Sequence, residues 1–413
     1  MSSRTTLDGG VWCIEYAADQ NEIRSVVERG DHHRQAKALV TVGGAPSGYI
    51  EFPLPIDELQ PSWMAELVKD LSAGSVPSSP PPPPDVDLPL ASVIVCTYNR
   101  PDILQRCLER LRSLDYPNFE VVVVDNAPRD QRTKDLVTTL ELEDPRIRYV
   151  VEPSPGLSRA RNRGVEAMRG DIGVFTDDDV SVDRRWLREM VAPFVADTSV
   201  GCVTGMVCTA EITTSLERYF DARAANWSGR LEAKRYHLDS HDLGPLFPYT
   251  PGKFGTGASF GFSRKALADM GPFDVALGAG SLTRGGEDLD AFVKVLLDGY
   301  AIYYTPRAIV WHHHRASRKE LQRQMYGWGV GLGAFVLAHV CYAGTRPLVL
   351  KRMRVGVKQL VATARSRPAP REDSTKNATH DLPRGLMALE LLGLAMSPIA
   401  YTRARFAARQ EVS

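Results

Sequence analysis

Gly170-Asp171-Ile172-Gly173-Val174-Phe175-Thr176-Asp177-Asp178-Asp179-Val180 joins a short apolar run to three consecutive carboxylates. Ile172 to Phe175 has the composition of a buried parallel strand. The strand ends in charge that cannot be buried unpaired, since like charges repel and desolvation disfavours each of them. A hard divalent cation carrying a polyphosphate on its far side answers that need, because Mg²⁺ takes one or two protein carboxylates plus phosphate oxygens. In an open α/β sheet, ligands bind outside the carboxyl ends of the strands. Taken alone, a solvated acidic turn explains the triplet equally well, so the surrounding chain has to decide.

Upstream, Ser92 to Thr97 reads as an apolar strand. It runs into Tyr98-Asn99-Arg100-Pro101, and Pro101 suits the first turn of a helix bearing Leu104, Leu108 and Leu111. Phe119 to Val124 is a second strand, ending in Asp125-Asn126. Thr133 to Leu142 reads as helix, Ile147 to Val151 as strand and Leu157 to Met168 as helix. This alternation predicts an α/β fold, a doubly wound, mostly parallel sheet with Thr97, Asp125 and Asp177 to Asp179 along one edge. No Gly-x-Gly-x-x-Gly or Walker-type loop follows the first strand, which argues against a dinucleotide oxidoreductase or a P-loop NTPase. A nucleotide here must be held by side chains and a metal.

Four segments occur in a specific order and spacing: Val93-Ile94-Val95-Cys96-Thr97-Tyr98-Asn99-Arg100, Val122-Val123-Val124-Asp125-Asn126, Gly156-Leu157-Ser158-Arg159-Ala160-Arg161-Asn162-Arg163-Gly164 and Phe175-Thr176-Asp177-Asp178-Asp179. Together they resemble family-2 glycosyltransferases with the GT-A fold, over about residues 90 to 315. The resemblance implies that Thr97, Tyr98, Asn99 and Arg100 lie on the donor nucleotide, with Asn162 and Arg163 also on the donor side. Asp125 would accept a hydrogen bond from a uracil-type base, Asp177 and Asp178 would meet the ribose and sugar, and Asp179 would coordinate Mg²⁺ or Mn²⁺. Gly285-Gly286-Glu287-Asp288-Leu289-Asp290 looks like the family's Glu-Asp motif, placing Asp288, with Glu287 beside it, as the base that deprotonates an acceptor hydroxyl. An acidic pair at a helix N-terminus also serves the helix dipole, and the two roles are compatible. Gly252 to Phe260 resembles the acceptor-side Gly-rich turn, with Ser259 where Asn is expected.

After the strand containing Tyr303 to Trp311, the resemblance places a histidine that joins Asp179 on the metal or contacts the diphosphate: His312 first, His314 second. Alternation in a strand puts these two on one face and His313 on the other, so His312, His313 and His314 cannot converge on one zinc ion. The function implied is inverting, metal-dependent transfer from a UDP- or dTDP-sugar to a hydroxyl acceptor, glycan or lipid-linked. The alternative is a catalytically silent nucleotide-sugar-binding module on the same fold. A sugar-nucleotide pyrophosphorylase is disfavoured because its Gly-rich first loop is absent.

At 413 residues the chain has room for about two or three domains. Lys plus Arg and Asp plus Glu both number 50, so global charge argues neither for nor against a nucleic-acid partner, and the expected partners include none. The six cysteines form no Cys-x-x-Cys pair and no apolar leader follows Met1, which together predict a reduced, cytoplasmic setting. Residues 1–73 read as a small α+β unit, with a hairpin (36–42 and 48–54, joined by Gly43 to Ser47) and a helix over 62–71. His32-His33 finds no third ligand nearby and reads as a surface loop. Residues 74–89 form a Pro-rich linker and 90–320 the catalytic domain.

Residues 209–251 are irregular and carry Tyr219, Phe220, Trp227, Tyr236, His237, His241, Phe247 and Tyr249, which either cover an acceptor or pack. Residues 321–413 make a helical, basic and apolar tail, although Gly327, Gly329, Gly331 and Gly333 weaken its first helix. Residues 365–383 read as a mobile loop. From Arg346 to Ser413 there are 13 Lys/Arg and 5 Asp/Glu, an excess of 13 − 5 = +8. The 325–413 segment therefore either lies peripherally on an anionic inner membrane face or packs back on the catalytic domain.

Overall fold

The computed structural model describes residues 6–410 except 55–58, 70–87, 216, 220, 223–228, 241–242, 251, 314–317 and 366–383. The Pro-rich linker and the 365–383 loop thus fall almost wholly outside the described residues.

The chain opens with β1 (Thr6–Ala17), β2 (Glu22–Arg24), β3 (His33–Val42), β4 (Ala45–Pro53) and α1 (Pro61–Leu67). The hairpin between β3 and β4 is tighter than the sequence suggested. Gly43 and Gly44 alone make the turn, with φ of 56° and 75°, the twist a two-residue hairpin turn requires. Residues 6–17 were not foreseen as a strand, yet β1 is the spine of this sheet. Its alternation explains why: Val11 and Cys13 pack against Met206, Cys208, Ile309 and Trp311, while Ile14 and Tyr16 pack against Met64 and Val68. β1 runs parallel to β3 and pairs antiparallel with a distant strand, Glu211–Thr214. The first 73 residues therefore share one sheet with a segment from the middle of the chain.

The larger sheet follows the predicted alternation. In order come β5 (Ala91–Thr97), α2 (Pro101–Arg112), β6 (Phe119–Asn126), α3 (Arg132–Glu143), β7 (Ile147–Glu152), α4 (Leu157–Ala167), β8 (Ile172–Asp177), β9 (Val180–Val182), α5 (Trp186–Ala196) and β10 (Val200–Thr209). The strand Glu211–Thr214 is β11, followed by β12 (Lys234–Tyr236), β13 (Ser259–Ser263), α6 (Arg264–Met270), α7 (Glu287–Leu297) and β14 (Ala301–His312). Nine strands assemble in the order β12-β14-β10-β13-β8-β5-β6-β7, with β9 added beside β14. β13 runs antiparallel to both β8 and β10, so all the others on its two sides, apart from edge strand β12 and the short β9, point the same way. Their carboxyl ends share one edge. Val93 and Val95 face Leu104 and Leu108, while Ile94, Val122 and Val124 face the opposite cluster with Phe260, Phe262 and Phe292.

Among the described residues, three helices follow: α8 (Arg318–Cys341), α9 (Arg346–Arg365) and α10 (Arg384–Gln410). The glycines of α8 do not interrupt it. They are contact points on two sides. A methyl group on Gly329 would lie 1.9 Å from the Glu390 carbonyl oxygen, and one on Gly333 would lie 2.1 Å from Ser397 Oγ, both on α10. A methyl group on Gly331 would lie 2.8 Å from the Gly285 carbonyl carbon, in the loop that leads into α7. Close helix packing outweighs weak propensity here. The tail is also tied to the larger-sheet domain by polar contacts: Asp274 accepts from Tyr342 (2.7 Å) and Tyr401 (3.1 Å). Asp290 pairs with Lys294 (2.7 Å) and His339 (3.3 Å).

Candidate active site

The strand ends deliver their side chains to one rim. Thr97 and Asp125 are register partners at the ends of β5 and β6, and Cys96 lies opposite Asp177 at the end of β8. The short antiparallel pairing of β9 with β14 sets Val180 opposite His312, and the His313 N–H donates to the Asp179 carbonyl (3.1 Å). Two segments more than a hundred residues apart are thereby held together. One metal-binding atom from each of Asp177, Asp179 and His312 lies within 4.8 Å of the others, and His312 Nε2 is 3.5 Å from Asp179 Oδ1. Two carboxylates and an imidazole at this spacing fit a divalent cation. His313 points away to Ser181 Oγ (3.2 Å), as strand alternation requires. His314 lies outside the described residues.

The three aspartates have different surroundings. Asp178 turns inward: its side chain is fully buried, accepts from Thr97 Oγ1 (2.7 Å) and is paired with Arg100. Burial pushes its carboxyl up to about 6, against the pull of Arg100. Arg100 also donates to Asp179 Oδ2 (3.1 Å), so it neutralises two of the three charges. Asp178 and Thr97 are consequently engaged with each other and present neither group to a sugar or ribose. Asp177 is partly exposed, and its carboxyl is raised, by burial first and by the charge of Asp179 second.

At the β5–β6 end, Asp125 accepts from Tyr149 OH (2.9 Å) through Oδ2, and burial raises its carboxyl. Its Oδ1 is buried and has no hydrogen-bond partner among the described residues, and the same holds for Nδ2 of Asn99. Asn99 sits at φ 53°, and its Oδ1 accepts from the Arg129 backbone N–H (2.9 Å). Tyr98 is exposed, with the Arg129 guanidinium over its ring. One acceptor and one donor are thus left open beside an aromatic face.

The second motif starts α7. Glu287 and Asp288 are its first two residues, after Gly286 at φ 92°. Glu287 is buried and accepts from Arg161 Nη1 (2.9 Å), and burial raises its carboxyl. Asp288 is less buried, and its Oδ2 would lie only 3.2 Å from a methyl group on Gly257, so the glycine leaves its carboxylate uncovered.

Arg161 is the residue that sequence reasoning missed: it stands in the third motif but was given no role there. It is buried, donates to Glu287 and to the Gly257 carbonyl (3.2 Å), lies 4.0 Å from Asp177, and stacks over Phe260 and Phe273. It therefore joins the first acidic motif to the second. The available signal was its place with Ser158 and Gly164 on the small-residue face of α4, a buried stripe at threefold spacing.

One expectation needs correcting, and two open readings are decided. The amide of Asn162 clamps the Phe273 backbone through both atoms (3.0 and 2.8 Å), and Arg163 pairs with Glu166 on the outer face of α4, so neither reaches the carboxylate rim. Ser259 is fully buried and accepts from Trp186 Nε1 (3.0 Å), which removes it from any acceptor surface. Tyr236, Phe247 and Tyr249 are core residues. Phe220, Trp227 and His241 lie outside the described residues.

Residues 92–271 match the family model described as glycosyl transferase family 2. Glycosyltransferase AglE of Haloferax volcanii is 35% identical over 140 residues, 32% of this chain and 44% of that protein. The pre-mycofactocin glycosyltransferase of Mycobacterium tuberculosis is 25% identical over 287 residues, 69% of this chain and 55% of that protein. The chain thus spans about half the length of these relatives. A mannosyltransferase of Pyrobaculum calidifontis, solved with GDP-Man and Mn²⁺, is 21% identical, covering 76% of this chain and 89% of that one, with a TM-score of 0.48. Residues 92–271, which supply most of the doubly wound sheet and its first acidic strand-end motif, are thus similar to glycosyl transferase family 2.

Proposed function

We propose that this chain transfers a sugar from a nucleoside-diphosphate sugar to a hydroxyl acceptor with inversion at the anomeric carbon. The observation that carries this reading is Arg161, which holds the Asp177 rim and the Glu287-Asp288 pair within one guanidinium's reach. The donor diphosphate then lies at the rim, and the acceptor hydroxyl beside Asp288. The acceptor oxygen attacks the anomeric carbon as the bond to the diphosphate breaks, and its proton passes to the Asp288 carboxylate. The nucleoside diphosphate leaves from the opposite face.

Asp177, Asp179 and His312 would hold the cation, and the imidazole in this set favours Mn²⁺ over Mg²⁺. When bound, the cation supplies Lewis-acid stabilisation of the departing diphosphate. The open Asp125 oxygen and Asn99 amide match the imide N–H and carbonyl of uracil or thymine, which supports a UDP- or dTDP-sugar. The test is donor binding by calorimetry. Asp179→Asn should abolish the Mn²⁺-dependent part of donor affinity while the fold is retained. Full affinity in excess chelator would refute the metal role. Slow donor hydrolysis by the wild type would separate the transferase from a silent binding module.

The acceptor is proposed to be lipid-linked. One face of α10 packs on α8 through Gly393, Ser397, Tyr401 and Ala404, whereas Met387 (66%), Leu391 (61%), Ile399 (54%) and Phe406 (64%) are exposed. This helix is long and apolar enough to cross a membrane by composition, and basic Arg403 and Arg409 flank its exposed face. A relative in Campylobacter jejuni, 32% identical over 94 residues (22% of this chain, 30% of that protein), is named for an undecaprenol-linked acceptor. Each basic residue near an anionic surface contributes about 1 kcal/mol, screened by salt. The full chain should co-sediment with phosphatidylserine vesicles at low salt and release at high salt. Leu391→Glu with Ile399→Glu should abolish sedimentation, and a wild type that stays in solution at low salt would refute the contact.

A further inference from the structure

His32-His33 has no ligand neighbour in sequence, but the fold brings one from 178 residues away. The chain turns sharply from Gly30 to His33, whose N–H donates to the Gly30 carbonyl (3.1 Å), before β3 begins. In a regular strand adjacent side chains diverge, whereas this turn sends both imidazoles to the same side, with ring centroids 4.0 Å apart. The Nε2 atoms of His32 and His33 lie 3.0 and 2.8 Å from the same oxygen, Oε1 of Glu211. Glu211 is held there independently: it opens β11 and is the register partner of Trp12 on β1, while Gly10 N donates to His32 O (2.8 Å).

We propose that His32, His33 and Glu211 form a second metal site, suited to Zn²⁺ or an ion of similar borderline character, that staples the N-terminal sheet to the strand leaving the catalytic sheet. The three ligand atoms all lie within 4.8 Å of one another, and the Nε2–Oε1 separations, now hydrogen-bond distances, would open to about 3.4 Å around a tetrahedral ion. His33 Nδ1 lies 3.1 Å from the Gly30 carbonyl and 2.8 Å from its N–H. Metal binding at Nε2 requires the tautomer with its proton on Nδ1, directed at the Gly30 carbonyl in place of the hydrogen bond that the Gly30 N–H donates to Nδ1. His32 is half exposed at 56%, leaving an entry path and room for water in a fourth position.

This site is chemically unlike the rim, where two carboxylates accompany one imidazole. It is nevertheless connected to it. Ala210, next to Glu211, donates its N–H to the His312 carbonyl (3.0 Å), and Thr209 is the register partner of His312. An ion on Glu211 therefore braces the strand that flanks His312.

The test uses the full chain, stripped by chelator and titrated with Zn²⁺ against a chromophoric competitor in excess Mg²⁺. Wild type and Asp179→Asn should both bind one tight equivalent, because the rim is not involved. His32→Ala and Glu211→Gln should each weaken it by about 10²-fold or more, since even an outer-shell partner is worth 10–100-fold. Both substitutions avoid the buried His33, and Glu211→Gln keeps a hydrogen-bonding group at the seam. Zn²⁺ should raise the melting temperature of the wild type and of Asp179→Asn but not of the two site variants. Unchanged Zn²⁺ affinity in His32→Ala and Glu211→Gln, loss of the tight equivalent in Asp179→Asn alone, or no tight binding by the wild type would each overturn the proposal. The cluster would then be a hydrogen-bonded latch only.

Discussion

Replacing Asp288 by Asn should lower turnover by about 10²–10⁴-fold, the usual worth of a positioned general base, with donor affinity nearly unchanged. The substitution keeps the size of the side chain and its acceptance from the Leu289 N–H (2.9 Å). What it removes is the ability to take a proton. The neighbouring carboxyls are poor substitutes. Glu287 is held by Arg161 in the interior, and Asp290 is fully buried with Lys294 and His339. Turnover at saturating donor and acceptor, set beside the donor Kd from calorimetry, checks this. Near wild-type turnover would transfer the role to Glu287.

Arg161→Met should destabilise the protein by about 3–5 kcal/mol, because breaking a buried pair leaves its partner's charge uncompensated. Met approximates the volume and the contact with Phe260 and Phe273, so most of the loss is electrostatic. The pH dependence gives the sign. Glu287 already has a raised carboxyl in the folded state, and Arg161 is the largest influence holding it down. Without Arg161 the folded state binds that proton more tightly than the unfolded one, so the penalty grows as pH rises above the unfolded value. The gap between variant and wild type should therefore be widest near neutrality and narrow toward about pH 5. Thermal melts across that range measure it, and a gap independent of pH would assign the loss to packing.

Much of the site was legible because it is built from strand ends. Continuous apolar runs that stop at Thr97, Asp125 and Asp177 announce both the sheet and its functional edge, and the order of the motifs carried the family resemblance. What could not be read was direction. Asp177, Asp178 and Asp179 are equivalent as letters, yet Asp178 is drawn inward by Thr97 and Arg100. In α4, Arg161, Asn162 and Arg163 are consecutive and polar, and helical rotation sends one to the site, one to the Phe273 backbone and one to the outer face of the helix. His32-His33 was dismissed for lack of a neighbour. Pairings between β1 and a strand some two hundred residues later leave no local signal. The tail glycines misled in the same way, since propensity describes a helix alone and α8 is held from both sides.

Those glycines bear on how this chain can change over evolutionary time. α8 meets the loop before α7 at Gly331 and meets α10 at Gly329 with backbone against backbone on each side, while Gly333 faces the Ser397 side chain. Contacts of that kind cannot be retuned by exchanging one side chain for another, because any added carbon displaces a whole helix. The C-terminal helices are therefore not freely transferable among relatives that share the catalytic sheet. A recombinant that joined this sheet to another protein's tail would have to inherit the glycine spacing with it, or shift the first turn of α7 and the carboxylates seated there.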